Sequence, residues 1–136
     1  MSTPKYFSES EVNGLIPTLE AIFQRIDKLQ NEIGARANEL ERTGTQPGGE
    51  VDEASDFVKE RREYNHELVQ EYHKEIEKIA RHGGILADLD LKIVDFLSQH
   101  QGEDIHLIWQ SGHEKIEYFR RPGDDFHRRQ RLSAIQ

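Results

Sequence analysis

Five side chains in the second half of the chain have the chemistry to bind a metal ion or to move a proton. They are Asp88, Asp90, Asp95, His106 and His113. Asp88 and Asp90 are two residues apart, which places both carboxylates on one face of an extended strand. Such a pair binds hard cations or acts as an acid and a base, but it equally suits the water-facing side of a small sheet. Asp95 stands between apolar residues, where an aspartate commonly accepts backbone N–H groups in a turn.

A second chemical pattern pairs Glu63 with His66, three residues apart, as in the Glu-x-x-His pairs of di-iron helical bundles. On a helical wheel both side chains lie away from the apolar side of their helix. His73 shares that outer side with His66, and a metal clip there would require a second copy of the chain. We therefore expect a solvated helix face here and no catalytic residue. We expect no cofactor, with a divalent metal in the sheet region as the alternative.

Five arginines are concentrated near the C-terminus, although the net charge of the whole chain is -8. They are Arg120, Arg121, Arg128, Arg129 and Arg131. They form either a solvated tail or a patch for an anionic partner, such as the acidic helices of a second subunit. Trp109, with Tyr118 and Phe119, belongs either to the core or to the same partner surface. The net charge argues against nucleic acid, because phosphate binding needs clustered cations.

The elements that must position these residues begin with a long amphipathic helix. Its apolar residues recur in steps of three and four: Val12, Leu15, Leu19, Ile22, Ile26, Leu29, Ile33 and Leu40. Ser8 and Glu11 have the spacing of a capping box, so we predict a helix over 8–42 with a bend at Pro17. At ~1.5 Å per residue it would be about 50 Å long, too long to cover itself with its own core.

Glycines and a proline interrupt this pattern and predict a loop at 43–50, followed by a second helix over 51–82 that ends at Gly83 and Gly84. Two long helices joined by a short loop pack antiparallel as a hairpin. We expect a second copy to complete a four-helix bundle, as a homodimer or higher oligomer. The residues assigned to this contact are Leu19, Ile22, Ile26, Leu29, Arg61 and Leu68. Arg61 would either extend its stem over the surface or pair with a carboxylate across the interface.

Beyond Gly84 the apolar period changes from about 3.6 to 2, which indicates strands. Alternating residues over 89–93, 105–109 and 116–118 predict three short antiparallel strands, with a turn at 110–113. The predicted fold is α+β: a long antiparallel helical hairpin with a small C-terminal three-stranded antiparallel sheet over 85–120. Residues 121–136 are predicted to form a tail, and 1–136 to form a single domain.

Composition excludes several classes of protein. The chain has no cysteine, which removes disulfides, thiol catalysis and thiolate metal sites. No apolar run approaches the ~18 residues of a membrane span, and the N-terminus lacks the apolar core of a signal peptide, so we expect a cytoplasmic protein. A nucleotide-binding glycine loop, a nucleophile elbow and a zinc-protease helix are also missing from the sequence.

Several short motifs share the pattern of one protein family. They are Tyr6-Phe7-Ser8 with Glu11 and Asn13, Leu15-Ile16-Pro17, Asp88-Leu89-Asp90, Val94-Asp95-Phe96, the strand ending in Trp109, Gly112, Tyr118-Phe119, and Phe126 with Arg129. On these residues the chain resembles a small bacterial family known as domain of unknown function 2203. The resemblance implies a bacterial protein without an assigned activity. The chain departs from the family pattern at Lys92, where the family has a glycine, and at Arg120, where the family has a histidine.

The sequence therefore favours a homo-oligomeric scaffold or protein-interaction module. Its sheet end and arginine-rich segment would bind a partner protein that the sequence does not identify. The alternative is a metal-binding protein or metal-dependent enzyme that uses the carboxylates and histidines of the sheet region.

Overall fold

The computed structural model describes residues 5–44 and 56–136, with side chains over 5–38 and 59–136. The predicted loop at 43–50 lies outside this part from residue 45 onward, as does the predicted start of the second helix. Two helices, α1 (Glu9–Gly44) and α2 (Asp56–Arg81), precede a sheet, so the fold is α+β. The chain divides into two compact units, one formed by Gln24–Glu77 and the other by Met1–Phe23 with Lys78–Gln136.

Helix α1 begins at the predicted capping box. The Ser8 N–H donates to Glu11 Oε1 and the Glu11 N–H donates to Ser8 Oγ, both at 3.1 Å. These two bonds satisfy donors that the first helical turn would otherwise leave open. Pro17 lies inside the helix, which continues beyond it to Gly44. No helix in the described ranges is both long and apolar enough to span a lipid bilayer.

Helix α2 ends with the predicted glycine cap. The Gly83 N–H donates to the Ala80 carbonyl at 2.9 Å, and the Gly84 N–H donates to the Ile79 carbonyl at 3.0 Å. This is the Schellman pattern, and Gly83 supplies its left-handed residue with φ +89°. A Cβ at Gly83 would also lie only 2.3 Å from Phe7 Cζ, so both conformation and space restrict this position to glycine.

Within the Gln24–Glu77 unit, three side-chain contacts join α1 to α2. They are Arg25 with Glu71 at 3.1 Å, Gln30 Nε2 with Tyr72 Oη at 3.1 Å, and the Arg36 guanidinium over the Tyr64 ring at 5.0 Å. Between Arg25 and Arg36 the partner on α2 moves back from Glu71 to Tyr64, which is the direction that an antiparallel pair of helices requires.

The predicted assembly residues lie largely in the core of the single chain. Leu19, Ile22, Ile26, Leu29 and Leu68 are each at most 5% exposed, whereas the predicted interface arginine, at position 61, is half-buried. These five apolar side chains are thus covered within one copy of the chain. Association of two copies through the apolar stripe of α1 stays a prediction.

The sheet has five strands rather than the three predicted. They are β1 (Ile85–Asp88), β2 (Ile93–His100), β3 (Glu103–Gln110), β4 (Tyr118–Arg120) and β5 (Gln130–Arg131). The strands lie in chain order, and every neighbouring pair is antiparallel. Strand β5 lies in the segment predicted as a tail, and it pairs with β4. Part of that segment is therefore folded against the sheet.

The first predicted strand was wrong because a turn produced the same alternation of residue types. The Leu91 N–H donates to Asp88 Oδ1 at 2.8 Å, so the aspartate closes a turn between β1 and β2. Leu91 is 54% exposed, whereas a leucine on the buried side of a strand would be covered. Lys92 follows with φ +57°, in the left-handed region that glycine adopts most easily.

One face of the sheet packs on the first part of α1 and on the N-terminal segment. The Phe23 and Trp109 rings are 6.0 Å apart, and the Phe7 and Phe96 rings are 5.1 Å apart. Trp109 is fully buried, and its Nε1–H donates to the His113 carbonyl at 2.9 Å. The structure therefore places Trp109 in the core rather than on a surface that a partner would reach.

Two polar side chains of α1 fix the connection between β3 and β4. The Glu20 carboxylate accepts hydrogen bonds from Ser111 Oγ at 2.8 Å and from the Gly112 N–H at 3.0 Å. Asn13 Oδ1 accepts one from the Ile116 N–H at 2.8 Å. This connection is thus held at three points along its length.

The turn between β2 and β3 makes the first testable prediction. Gln101 and Gly102 both have positive φ, +52° and +81°, as in a type I′ hairpin, which favours asparagine at the first position. We expect Gln101→Asn to raise the free energy of unfolding by roughly 0.5 kcal/mol, because asparagine tolerates this conformation better than glutamine. Urea denaturation measures the change. Gln99→Asn, in the neighbouring strand, is the control, and an equal gain in both variants would contradict the explanation.

Candidate functional site

The face of the sheet opposite the aromatic core carries the ionisable residues of interest, and we call it the outer face. In the strand register Asp95 lies opposite Ile108, and His106 lies opposite Arg120. Because side chains alternate between the two faces of a strand, Asp95, His106 and Arg120 share one face. Tyr118, opposite Ile108, lies on this face as well.

Asp95 and Arg120 form a buried ion pair on the outer face. Asp95 is only 2% exposed, and its Oδ2 accepts hydrogen bonds from Arg120 Nη2 at 2.6 Å and from Arg120 Nε at 3.0 Å. Arg120 Nη1 also donates to the Asp124 carbonyl at 2.9 Å. A buried carboxylate is costly unless a partner neutralises it, and Arg120 fills that role here. Arg120 is therefore an internal residue of the site, not part of a free tail.

His106 lies beside this ion pair. Its Nδ1 atom is buried and finds no hydrogen-bond partner in the described part of the chain. Burial lowers the pKa of His106 below its usual value, and the positive charge of Arg120 acts in the same direction. The carboxylates of Asp95 and Asp104 oppose this change in pKa. The net result is a histidine that resists protonation in the folded protein.

A cleft of about 420 Å³ opens over the ion pair, and we call it the acidic cleft. Its lining combines the buried pair with three further carboxylates and an apolar surface. The residues of this lining that matter here are Asp88, Asp124, Asp125, Leu91, Ile93 and Phe126. The cleft therefore offers a concave surface that is apolar in part and rich in negative charge.

A smaller recess of about 120 Å³ lies beside the cleft, and Phe126 lines both. We call it the basic recess, because Lys115 and Arg129 line it, with Glu117 as its acidic side chain. Its floor is formed by the outer face of the sheet, with Ile108 and Tyr118 on adjacent strands. Two sites of opposite charge thus adjoin on one face.

Arg129 is held in the recess by aromatic rings. Its guanidinium lies 4.1 Å from the centre of the Phe126 ring and 5.0 Å from that of Tyr118. Its Nη1 donates to the Phe126 carbonyl at 3.2 Å. In the ranges that the structure describes, no carboxylate pairs with Arg129. The guanidinium is fixed in orientation, and most of its N–H donors are open.

The structure separates the five predicted partner-binding arginines by their contacts. Arg120 is committed to Asp95, whereas the next arginine, Arg121, lies 3.3 Å from Glu103. The Arg128 Nη1 atom is 3.8 Å from Asp124 Oδ1 on an exposed part of the segment. Arg129 and Arg131 instead stack on Tyr118, with Arg131 at 5.6 Å. Only the last two lack a carboxylate partner within the described residues.

The predicted metal ligands are not brought together. Within 5–44 and 56–136, no three His, Asp or Glu side chains converge as a metal site would require. Asp88 and Asp95 line the cleft, but Oδ1 of Asp88 already accepts the Leu91 N–H and Oδ2 of Asp95 accepts Arg120. Asp90 is exposed in the turn before β2, and His113 is exposed in the connection that follows β3.

The aromatic residue that divides the two sites, Phe126, is not predicted from the sequence as a site residue. It enters there only through a family motif with Arg129, three residues later, and Lys115 is not predicted either. The three-residue spacing was the available signal, since it places both side chains on one side of a short helical turn. Glu63 and His66, in contrast, are both exposed on α2, where the helical wheel placed them.

Comparison with known proteins adds one finding. Residues 5–132 match the model of a family described as Uncharacterized conserved protein (DUF2203). The match covers nearly the full chain, including both recesses of the outer face. No curated protein and no solved structure matches the chain. The family description names no ligand, so the geometry carries the functional argument.

The buried ion pair makes a prediction about stability. Asp95→Asn keeps the size of the side chain but leaves the Arg120 guanidinium, whose side chain is 22% exposed, without its counter-charge. We expect the free energy of unfolding to fall by about 2–3 kcal/mol, as measured by urea denaturation. Glu103→Gln, which removes the exposed partner of Arg121, should cost less than about 1 kcal/mol. Equal losses would show that burial of the pair contributes nothing.

His106 makes a prediction about pH. Because its pKa is lower in the folded protein than in the unfolded chain, the unfolded state binds more protons below about pH 6.5. The stability of the wild type should therefore fall as pH decreases below that value. We expect a smaller decrease for His106→Gln in urea denaturation at pH 7 and pH 5. His73→Gln, an exposed histidine on α2, is the control and should follow the wild type.

Proposed function

This chain belongs to the DUF2203 family of uncharacterised conserved proteins, and for this member we propose a binding module whose basic recess captures an acidic segment of a partner protein. The observation that carries the proposal is the Arg129 guanidinium, stacked on Phe126 and Tyr118 without a carboxylate of its own in the described chain. In the neighbouring cleft, Arg120 pairs with Asp95 and also bonds the Asp124 carbonyl, which holds the chain just before Phe126.

The stacking explains how Arg129 would bind a carboxylate. A guanidinium stays charged at every physiological pH, and its planar edge presents parallel N–H donors that match the two oxygens of a carboxylate. A flexible surface arginine would lose side-chain freedom on binding. Arg129 has already lost much of it to the two rings, so the entropic cost of binding is lower.

Charge around the recess favours a small acidic group over a polyanion. Lys115 lines the recess with Arg129, and Arg131 lies over the same tyrosine ring, whereas Glu117 reduces the local positive charge. The whole chain has a net charge of -8, which repels a long polyanion such as nucleic acid. A protein segment with a few carboxylates supplies a small acidic group for the recess and carries less charge than a long polyanion.

A second copy of the chain is one source of such a segment. In its described part α2 carries exposed glutamates at positions 60, 63, 67 and 71. Binding of one copy's α2 by another copy's recess would produce the homo-oligomer that the sequence suggested. In that case the self-association would depend on Arg129 rather than on the apolar stripe of α1.

Titration with an acetylated hexaglutamate peptide tests the proposal. We expect saturable shifts of backbone amide signals in the basic recess, and an affinity that falls as salt is raised from 0.05 to 0.5 M. Arg129→Gln should weaken binding about 10-fold, equivalent to ~1.4 kcal/mol, which is close to the lower end of the range for a hydrogen bond to a charged group. Arg129→Lys should give an intermediate affinity, because an ammonium cannot bind both oxygens through a planar edge.

Arg62→Gln is the matched control, since it makes the same charge change at an exposed position of α2. An equal loss of affinity in both variants would reduce the effect to general electrostatics and would overturn the role of the recess. Light scattering of the protein without peptide measures its mass in solution and so tests whether copies of the chain associate. A mass that falls in Arg129→Gln but not in Arg62→Gln would identify the second copy as the partner.

A further inference from the structure

We propose that the acidic cleft is a second binding site, which takes an ammonium or guanidinium group carried on an aliphatic stem. The cleft lies on the other side of Phe126 from the basic recess and is more than three times larger, at about 420 Å³ against 120 Å³. That volume is within the range of small-molecule sites in proteins. Arg129 is not part of the lining of the cleft.

The apolar part of the cleft would hold the stem. Leu91, at the tip of the turn before β2, is 54% exposed, whereas Ile93, the first residue of β2, is buried. Both line the cleft together with Ala87 and Phe126. An exposed leucine beside an aromatic ring provides apolar surface that a stem of a few methylene groups would cover, and burial of this surface favours binding.

The charge of the cleft selects a cation. Four aspartates line it, together with His127 and one arginine, and that arginine is already occupied. Arg120 gives two hydrogen bonds to Asp95 and a third to the Asp124 carbonyl. Asp125, in contrast, has no ion pair or hydrogen bond of its side chain within the described residues. Asp124 lies 3.8 Å from Arg128, so the carboxylates of the lining without a cationic partner in the described chain are those of Asp88 and Asp125, beside the apolar surface.

An open acceptor in the lining supplies a second, separate indication. Asp95 is 98% covered, yet both of its hydrogen bonds from Arg120 reach the same oxygen, Oδ2. No described residue donates to Oδ1, and this oxygen is not among the fully buried unpaired atoms of the described chain. Because Asp95 lines the cleft, its Oδ1 is open to an N–H donor that enters the cleft.

The arrangement suits an organic cation better than a metal ion. The carboxylates of the described chain do not converge on one point in any group of three, which a bare divalent ion would need. An ammonium or guanidinium group forms separate hydrogen bonds with separated acceptors, and its stem contacts the apolar surface. A lysine or arginine side chain of a peptide and a free alkylamine both have this chemistry.

Amide spectra of the ¹⁵N-labelled full chain, titrated with n-butylammonium chloride, test the proposal. We expect saturable shifts at Leu91, Asp125 and Phe126, against a reference titration with sodium chloride. n-Butanol, the neutral probe of similar shape, should bind at least 5-fold more weakly. Equal binding of butanol, or shifts no larger than those caused by sodium chloride, would overturn the proposal.

The carboxylates are tested by Asp88→Asn combined with Asp125→Asn. Asparagine at 88 still has an oxygen that accepts the Leu91 N–H, so the turn is retained while the charge is removed. We expect butylammonium to bind at least 5-fold more weakly to this double variant and normally to Asp104→Asn, an exposed aspartate of β3. Unchanged binding in the double variant would contradict the role of the carboxylates.

Two further titrations separate this site from the basic recess and identify the source of the cation. Arg129→Gln should leave the butylammonium affinity unchanged, so failure at one site does not imply failure at the other. Acetyl-lysine amide presents the same group on a peptide backbone. If acetyl-lysine amide binds as tightly as butylammonium, the source of the cation is a peptide, whereas weaker binding points to a free amine. If neither probe binds, the proposal is overturned.

Discussion

A carboxylate inside a β-sheet must be neutralised, and the outer face of this protein is organised around that requirement. Asp95 in β2 is neutralised by Arg120, which lies in β4, a strand of only three residues. The same guanidinium reaches the Asp124 carbonyl and so holds the chain as it leaves the sheet. From that point the chain turns back to place Phe126 between the two sites. The wall that separates the acidic cleft from the basic recess thus depends on one ion pair.

The two helices could be predicted from sequence because their signals are local. The capping residues Ser8 and Glu11 are three positions apart, and the Gly83 cap depends on the conformation of a single residue. The number of strands could not be predicted in this way. Leu91 continues an alternating pattern but lies in a turn closed by Asp88, and β5 is two residues long and meaningful only through its pairing with β4.

The candidate site shows the same division between local and distant information. Asp95 and His106 were recognised from residue type and position, whereas the partner of Asp95 is 25 residues away in the chain. Proximity in sequence groups Arg120 with the other C-terminal arginines, and only its contact with Asp95 distinguishes it from them. Aromatic stacking distinguishes Arg129 from Arg128, its immediate neighbour, and only the folded chain reveals it.

The anchoring of the β3–β4 connection by α1 has a consequence for the speed of recognition. Glu20 and Asn13 hold this segment on both sides of the lysine that lines the basic recess, through Ser111 and Gly112 before it and Ile116 directly after it. A loop held in this way has little freedom to rearrange after a ligand is encountered. Association at the recess should then follow a single kinetic phase, with a rate set by diffusion and charge, and differences in affinity among ligands should be found in their dissociation rates.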